Sequence, residues 1–303
     1  MKSIKPAKSA KSAKSAQAAT SAKSAKSATK KWALSAAAAA GAAALLSGVL
    51  VTTASAHDSA PGSAPAVARQ QAKPTVVLVH GAFEDTSGWS GVTSRLQRAG
   101  YPVVVPAVPL RGVASDATYL ENLLKTIPGP LVLAGHSYGG ALIGEVAAHN
   151  SNVKALVYAA AFIPQAGETI GALNAQFPGS LLGPDTSYTV DNGNGSDLYI
   201  KASSFRDVFA ADRPAAQAAV TAAGQRPIDA SAFTETITGA APADIPKYAI
   251  VADQDHAIAP AAEQFEATRA GATVYHVRSS HDVAVSHPGT VTSVIERAAT
   301  QLR

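Results

Sequence analysis

Between residues 75 and 303 short apolar runs alternate with stretches of helical periodicity. Residues 75–80 (Thr-Val-Val-Leu-Val-His), 101–105, 131–134, 153–158, 248–252 and 273–277 are apolar and rich in β-branched side chains, as expected of strands buried on both faces. After the first run, Trp89, Val92 and Leu96 fall at helical spacing and Gly100 supplies a stop. Ala141, Leu142, Ile143 and Val146 line one side of a second helix ending near Asn150. Pro260 opens another, and Val291, Val294, Ile295, Ala298 and Leu302 form a closing amphipathic helix. This alternation predicts the α/β class, with a mostly parallel sheet and helices on both faces. Residues from about 164 to 244 break the rhythm. They mix a Gly/Pro/Asn-rich stretch (179–195) with an Ala-rich, helix-prone one (210–223). The interval is too long for an ordinary connection and predicts an inserted lid over the C-terminal edge of the sheet.

The first 74 residues follow another pattern. Residues 1–31 are a low-complexity run of Lys-Ser-Ala units, 33–51 are uncharged, and Ala54-Ser55-Ala56 follows. A basic start, an apolar run and a small-x-small site read as a secretory signal peptide over residues 1–56, cleaved after Ala56. A membrane anchor is the alternative, but nine of the 19 residues in 33–51 are Ala and four are Ser or Gly, which is weakly hydrophobic for a permanent span. The expected location is secreted or periplasmic, with the membrane met only during export. Residues 57–74, rich in Ala, Pro, Ser and Gln, read as a disordered linker, leaving 75–303 as one folded domain.

Charge changes meaning once the leader is set aside. The chain carries 25 Lys and Arg against 21 Asp and Glu, yet nine of the lysines lie within residues 1–31 and no acidic residue precedes His57. The remainder holds 16 positive and 21 negative residues, so a nucleic-acid partner loses its electrostatic support. The absence of cysteine excludes a thiol nucleophile, an iron–sulfur cluster and a thiolate zinc site. No metal-ligand spacing occurs, and no cofactor is implied.

The chemistry-bearing motif is Gly135-His136-Ser137-Tyr138-Gly139, between an apolar strand and an amphipathic helix. A G-x-S-x-G turn in that setting holds its serine in a strained conformation with Oγ exposed above a helix N-terminus, and the flanking glycines let neighbouring backbone approach. Serine needs a base, and the base needs an orienting acid. Of the eight histidines, four follow the motif at a distance. His281 comes just after the last strand and a short polar loop, where a base can reach Ser137. His276 lies inside that strand, His287 begins the final helix, and His256 sits in the loop expected to supply the acid. That loop offers Asp253 and Asp255, which spacing alone does not separate, while Asp282 is expected to face solvent. An oxyanion hole takes two backbone N–H groups. Tyr138 supplies one, and Ala82, in the His80-Gly81-Ala82-Phe83 turn, the other. Phe83, Trp89, Tyr138 and Phe162 are candidate pocket residues, as are Phe177, Leu181, Leu182 and Phe209 of the lid.

Taken together, V-L-V-H-G-A-F, G-H-S-Y-G-G, D-Q-D-H-A-I-A-P and S-S-H-D-V resemble the α/β-hydrolase superfamily, closest to the plant methylesterase and hydroxynitrile-lyase branch and its bacterial esterase relatives. The resemblance covers residues 74–303. It implies an α/β-hydrolase fold, cleavage of small-molecule carboxylic esters through an acyl-enzyme, Asp255 as the acid and Ala82 as the first oxyanion donor. The lyases of that branch carry a hydroxyl residue after the first-strand histidine and a lysine after the catalytic histidine. This chain has Gly81 and Asp282 there, which points to esters rather than cyanohydrins. A lyase on the same triad and a non-catalytic ligand-binding member of the fold are the alternatives.

Overall fold

A computed structural model describes residues 72–302. The signal-peptide reading lies outside that range, as does all but the end of the linker. Within that end the expectation is corrected. Pro74 is buried, and the Lys73 ammonium bonds to the Ala99 carbonyl and lies 4.2 Å from the Tyr101 ring centre, so the folded body begins before Thr75.

The chain runs β1 (Thr75–Val79), α1 (Ser90–Arg98), β2 (Val103–Val104), α2 (Val113–Leu124), β3 (Leu131–Ser137), α3 (Tyr138–Ala147) and β4 (Val153–Ala161). The interval 164–244 contributes α4 (Ile170–Gln176), β5 (Ser187–Asp191), β6 (Ser196–Ile200), α5 (Ala202–Phe209), α6 (Ala215–Ala223) and β7 (Ile228–Asp229). β8 (Lys247–Ala252), α7 (Pro260–Arg269), β9 (Thr273–Val277), α8 (Val283–Ser286) and α9 (Pro288–Thr300) complete it. Strands β2-β1-β3-β4-β8-β9 form one sheet in that order, every pair parallel.

Because successive side chains of a strand point to opposite faces, each central strand serves two cores. Val77, Val79, Leu131, Leu133, Leu156 and Tyr158 pack with residues of α2, α3 and α7. Val76, Leu78, Val132, Ala134, Ala155 and Val157 pack with α1, α8 and α9. The expected arrangement of helices on both faces follows from this division.

Two differences have local causes. The run at 101–105 forms only a two-residue strand, because Pro102 and Pro106 bracket it and proline cannot donate to a ladder. α2, absent from the expected elements, places Val113, Ala117, Leu120 and Leu124 in the core.

The interval 164–244 is better ordered than its composition suggests. Its Gly/Pro/Asn-rich stretch makes an antiparallel hairpin of β5 and β6, with β7 added on the far side of β6. The turn is Asn192-Gly193-Asn194-Gly195, where the Asn192 amide donates to the Gly195 carbonyl and the Gly193 amide to the Asp191 carboxylate, as expected of Asn and Gly in tight turns.

Candidate active site

Ser137 is the last residue of β3 and the N-cap of α3, with φ 53° and ψ −123°. A non-glycine residue in that region is strained and persists only where its surroundings impose it. Here the imposition is steric. A Cβ on Gly135 would lie 2.5 Å from the Gly139 carbonyl oxygen, and one on Gly139 would lie 2.5 Å from the Val79 carbonyl oxygen. Only glycine at both positions lets β1, the turn and α3 meet. The β3–β4 register slips between His136 and Ser137, so the serine leaves the ladder where the helix begins.

His281 follows β9, and its Nδ1 lies 2.5 Å from Asp255 Oδ2. Since that nitrogen faces a carboxylate it holds the ring proton, which leaves Nε2 as the basic nitrogen. The other oxygen of Asp255 accepts the Ala257 and Ile258 amides at 2.6 and 2.9 Å, and both side chains are buried. Asp253 goes elsewhere. It pairs with His276 Nδ1 at 2.7 Å, with both side chains about half exposed.

Ser137 and His281 border one cavity of about 10 Å³, together with Ala82, Phe83, Tyr138 and Phe162. The insert adds Ile170, Leu182 and Phe233. Trp89 is corrected: it packs among Val92, Leu96 and the strand residues of the opposite core and does not line this cavity. Six positions after Phe83, it lies on the opposite side of the sheet, which the sequence pattern does not show. Of the other lid candidates, Phe209 packs edge-on against the His281 ring at 4.9 Å, and Leu181 is exposed.

Several buried groups that motif reading did not assign surround this pair. His136 Nδ1 bonds to Glu84, and its Nε2 lies 2.9 Å from the backbone carbonyl of His281. Both ring nitrogens face acceptors, so the ring is an imidazolium. Burial opposes that charge, but the Glu84 carboxylate and the two hydrogen bonds outweigh it and hold the His136 pKa up to about 9. Burial likewise works against Glu84, whose pKa is nonetheless lowered by His136 and by the Gly81 amide, which donates to it at 2.9 Å. His80 is the opposite case, with burial lowering its pKa. Its Nε2 accepts the Val108 amide at 3.0 Å, so Nδ1 donates to the Gly81 carbonyl at 2.8 Å, fixing the turn that carries Ala82. The only sequence signal for these roles is adjacency to the serine and first-strand motifs.

Asp282 does not face solvent. It is buried and accepts from Arg213 at 2.5 Å, and its pKa is pushed up to about 7, chiefly by burial. The Tyr138 hydroxyl donates to buried Asp116 at 2.9 Å.

A family model for alpha/beta hydrolases matches residues 76–294, the span that holds the parallel sheet and the elbow serine. The chain belongs to the alpha/beta hydrolase family. Among its relatives in that family is the alpha/beta hydrolase nvfD of Aspergillus novofumigatus, 26% identical over 253 residues, 75% of this chain and 97% of the relative. A shorter match, 31% identical over 110 residues, covers 32% of this chain and 46% of a carbendazim hydrolyzing esterase from Nocardioides sp.. A methylesterase from Arabidopsis has the same fold, with a TM-score of 0.63 at 18% identity, covering 75% of this chain and 99% of that one.

Proposed function

We propose that this alpha/beta hydrolase is an exported serine esterase that cleaves small-molecule carboxylic esters through Ser137, His281 and Asp255. The observation that carries the proposal is the 2.5 Å pairing of His281 Nδ1 with Asp255 beside a cavity that His281 shares with Ser137. Ser137 Oγ adds to the ester carbonyl carbon while its proton passes to His281 Nε2. The backbone amides of Ala82 and Tyr138 hold the oxyanion, aided by the N-terminus of α3. The tetrahedral intermediate collapses as the bond to the alcohol oxygen breaks and His281 returns the proton to that oxygen. Water then attacks the acyl-enzyme with the same base, releasing the acid and restoring Ser137. Asp255 keeps the imidazole in the required tautomer and stabilises its charged form. The names of the Nocardioides esterase and the Arabidopsis methylesterase agree with this reaction.

A fluorophosphonate probe should label Ser137, and Ser137→Ala should lower turnover of p-nitrophenyl acetate by about 10⁴ or more with an unchanged circular dichroism spectrum. Labelling of another serine, with activity kept in Ser137→Ala, would overturn the assignment. Cyanide release from mandelonitrile should stay at the uncatalysed rate, since the residue after His281 is a buried aspartate bonded to Arg213 rather than a free cation. Export is checked by N-terminal sequencing of the released protein, which should begin at His57.

A further inference from the structure

The cavity at Ser137 and His281, about 10 Å³, has room for roughly one water molecule. Any ester must displace part of its wall, and the structure offers two neighbouring spaces. One, of about 290 Å³, is reached past Phe83 and is lined by Glu84, Asp85, Asp282 and Arg213. The other, of about 680 Å³, lies in the insert between α4, the β5–β6 hairpin and the loop joining them. It is walled by Phe177, Pro178, Leu182, Pro184, Leu198 and Phe233, and no charged residue among the described residues borders it. Leu182 and Phe233 border both this groove and the catalytic cavity.

The two dividing walls differ in freedom. Phe83 is buried, sits at φ 64° and has its amide bonded to the Arg226 carbonyl at 2.8 Å. Leu182 and Phe233 are only partly buried, though their backbones are held. The Leu181 amide donates to the His256 carbonyl at 2.6 Å, and Ser180 Oγ to the Ala257 carbonyl at 2.7 Å. α4 lies so close to Phe233 that a Cβ on Gly171 would come within 2.8 Å of its carbonyl oxygen. With the backbones held and the two side chains only partly buried, a connection between cavity and groove calls for side-chain rotation rather than loop movement.

We propose that Leu182 and Phe233 form a side-chain gate, and that the groove behind them is the subsite for a long or aromatic, uncharged apolar limb of the ester whose carbonyl reaches Ser137. This rests on the esterase reading. The limb belongs to the acyl or to the alcohol half, and two substrate series separate these: p-nitrophenyl acetate to octanoate, and methyl to octyl acetate. In one series kcat/KM should climb with chain length, by up to about fourfold per methylene buried. Ala175→Trp, at an exposed position on α4 bordering the groove, should lower the ratio of kcat/KM for the longest ester to that for the shortest by about tenfold or more. Leu182→Ala should raise the same ratio about threefold, the size of the rotamer penalty it removes. A climb in the acyl series assigns the groove to the acid, and one in the alcohol series to the alcohol. A flat wild-type profile in both series, or a ratio unmoved by both substitutions, overturns the gate. With acetate turnover still dependent on Ser137, that failure leaves the esterase reading standing; loss of that dependence removes the esterase reading itself.

Discussion

At the scale of single residues, two aspartates two positions apart have opposite surroundings. Asp255 is buried, with one oxygen on His281 and the other on two backbone amides. Asp253 lies at the surface against His276. Asp255→Asn keeps the shape but offers an amide where Nδ1–H needs an anionic acceptor, so ester turnover should fall by about 10⁴. Asp253→Asn removes only an exposed pair and should leave turnover within about twofold, since such pairs contribute little. Parallel kcat/KM measurements on the two variants check the ranking. Spacing left these residues equivalent. The signal that separates them is burial, which depends on how the loop after β8 folds under the insert.

At the scale of elements, the strand–turn–helix around Ser137 depends on backbone proximity at Gly135 and Gly139. The atoms that a Cβ at position 139 would strike are the backbone of Val79, the last residue of a strand paired along its length with β3, and of His80 just beyond it. They cannot rotate away. Gly139→Ala should therefore destabilise by about 3 kcal/mol and displace Ser137. Gly289→Ala, in the first turn of α9 with nothing within 4 Å, should leave stability unchanged or slightly raised. Urea unfolding of both variants tests the contrast. Most elements were legible because apolar period and length agreed. α2 shows the opposite. Its stripe of Val113, Ala117, Leu120 and Leu124 has helical spacing, but small and polar residues dilute it, and packing against α3 supplies the remaining stability.

At the scale of the whole molecule, the buried Glu84–His136 pair joins the loop after β1, the elbow and the loop carrying His281. Its charge makes stability depend on pH. The His136 pKa is raised from 6.5 to about 9, so its contribution is whole below pH 6.5 and disappears as pH climbs through about 9. The Glu84 pKa is lowered from 4.5, so its contribution is present above pH 4.5 and lost on further acidification. The pair is fully effective between those limits. Glu84→Gln should lower stability by about 3 kcal/mol near pH 6, and the gap to wild type should narrow by pH 10. Thermal unfolding from pH 5 to 10 measures it; a gap independent of pH would show that the pair is not charged.

The insert is likewise a whole-molecule feature. Its segment near residues 209–213 holds the His281 loop through the Phe209 carbonyl, Asp212 and Arg213, while its 180–182 loop bonds to the segment that follows Asp255. Sequence by itself determined the six strands of the parallel sheet, the helices α1, α3, α7 and α9, the elbow and the chain order of Ser137, the candidate acids and His281, because apolar period, glycine placement and motif order are local properties of the chain. Spacing left Asp253 and Asp255 open and only the family resemblance pointed to Asp255, which the structure places against His281. The tertiary structure alone decided that Trp89 belongs to the opposite core, that Asp282 is buried against Arg213, and that Leu182 and Phe233 stand between cavity and groove. Each of these depends on which face of the sheet a residue occupies, or on contacts between segments tens of residues apart, and chain-local pattern carries neither.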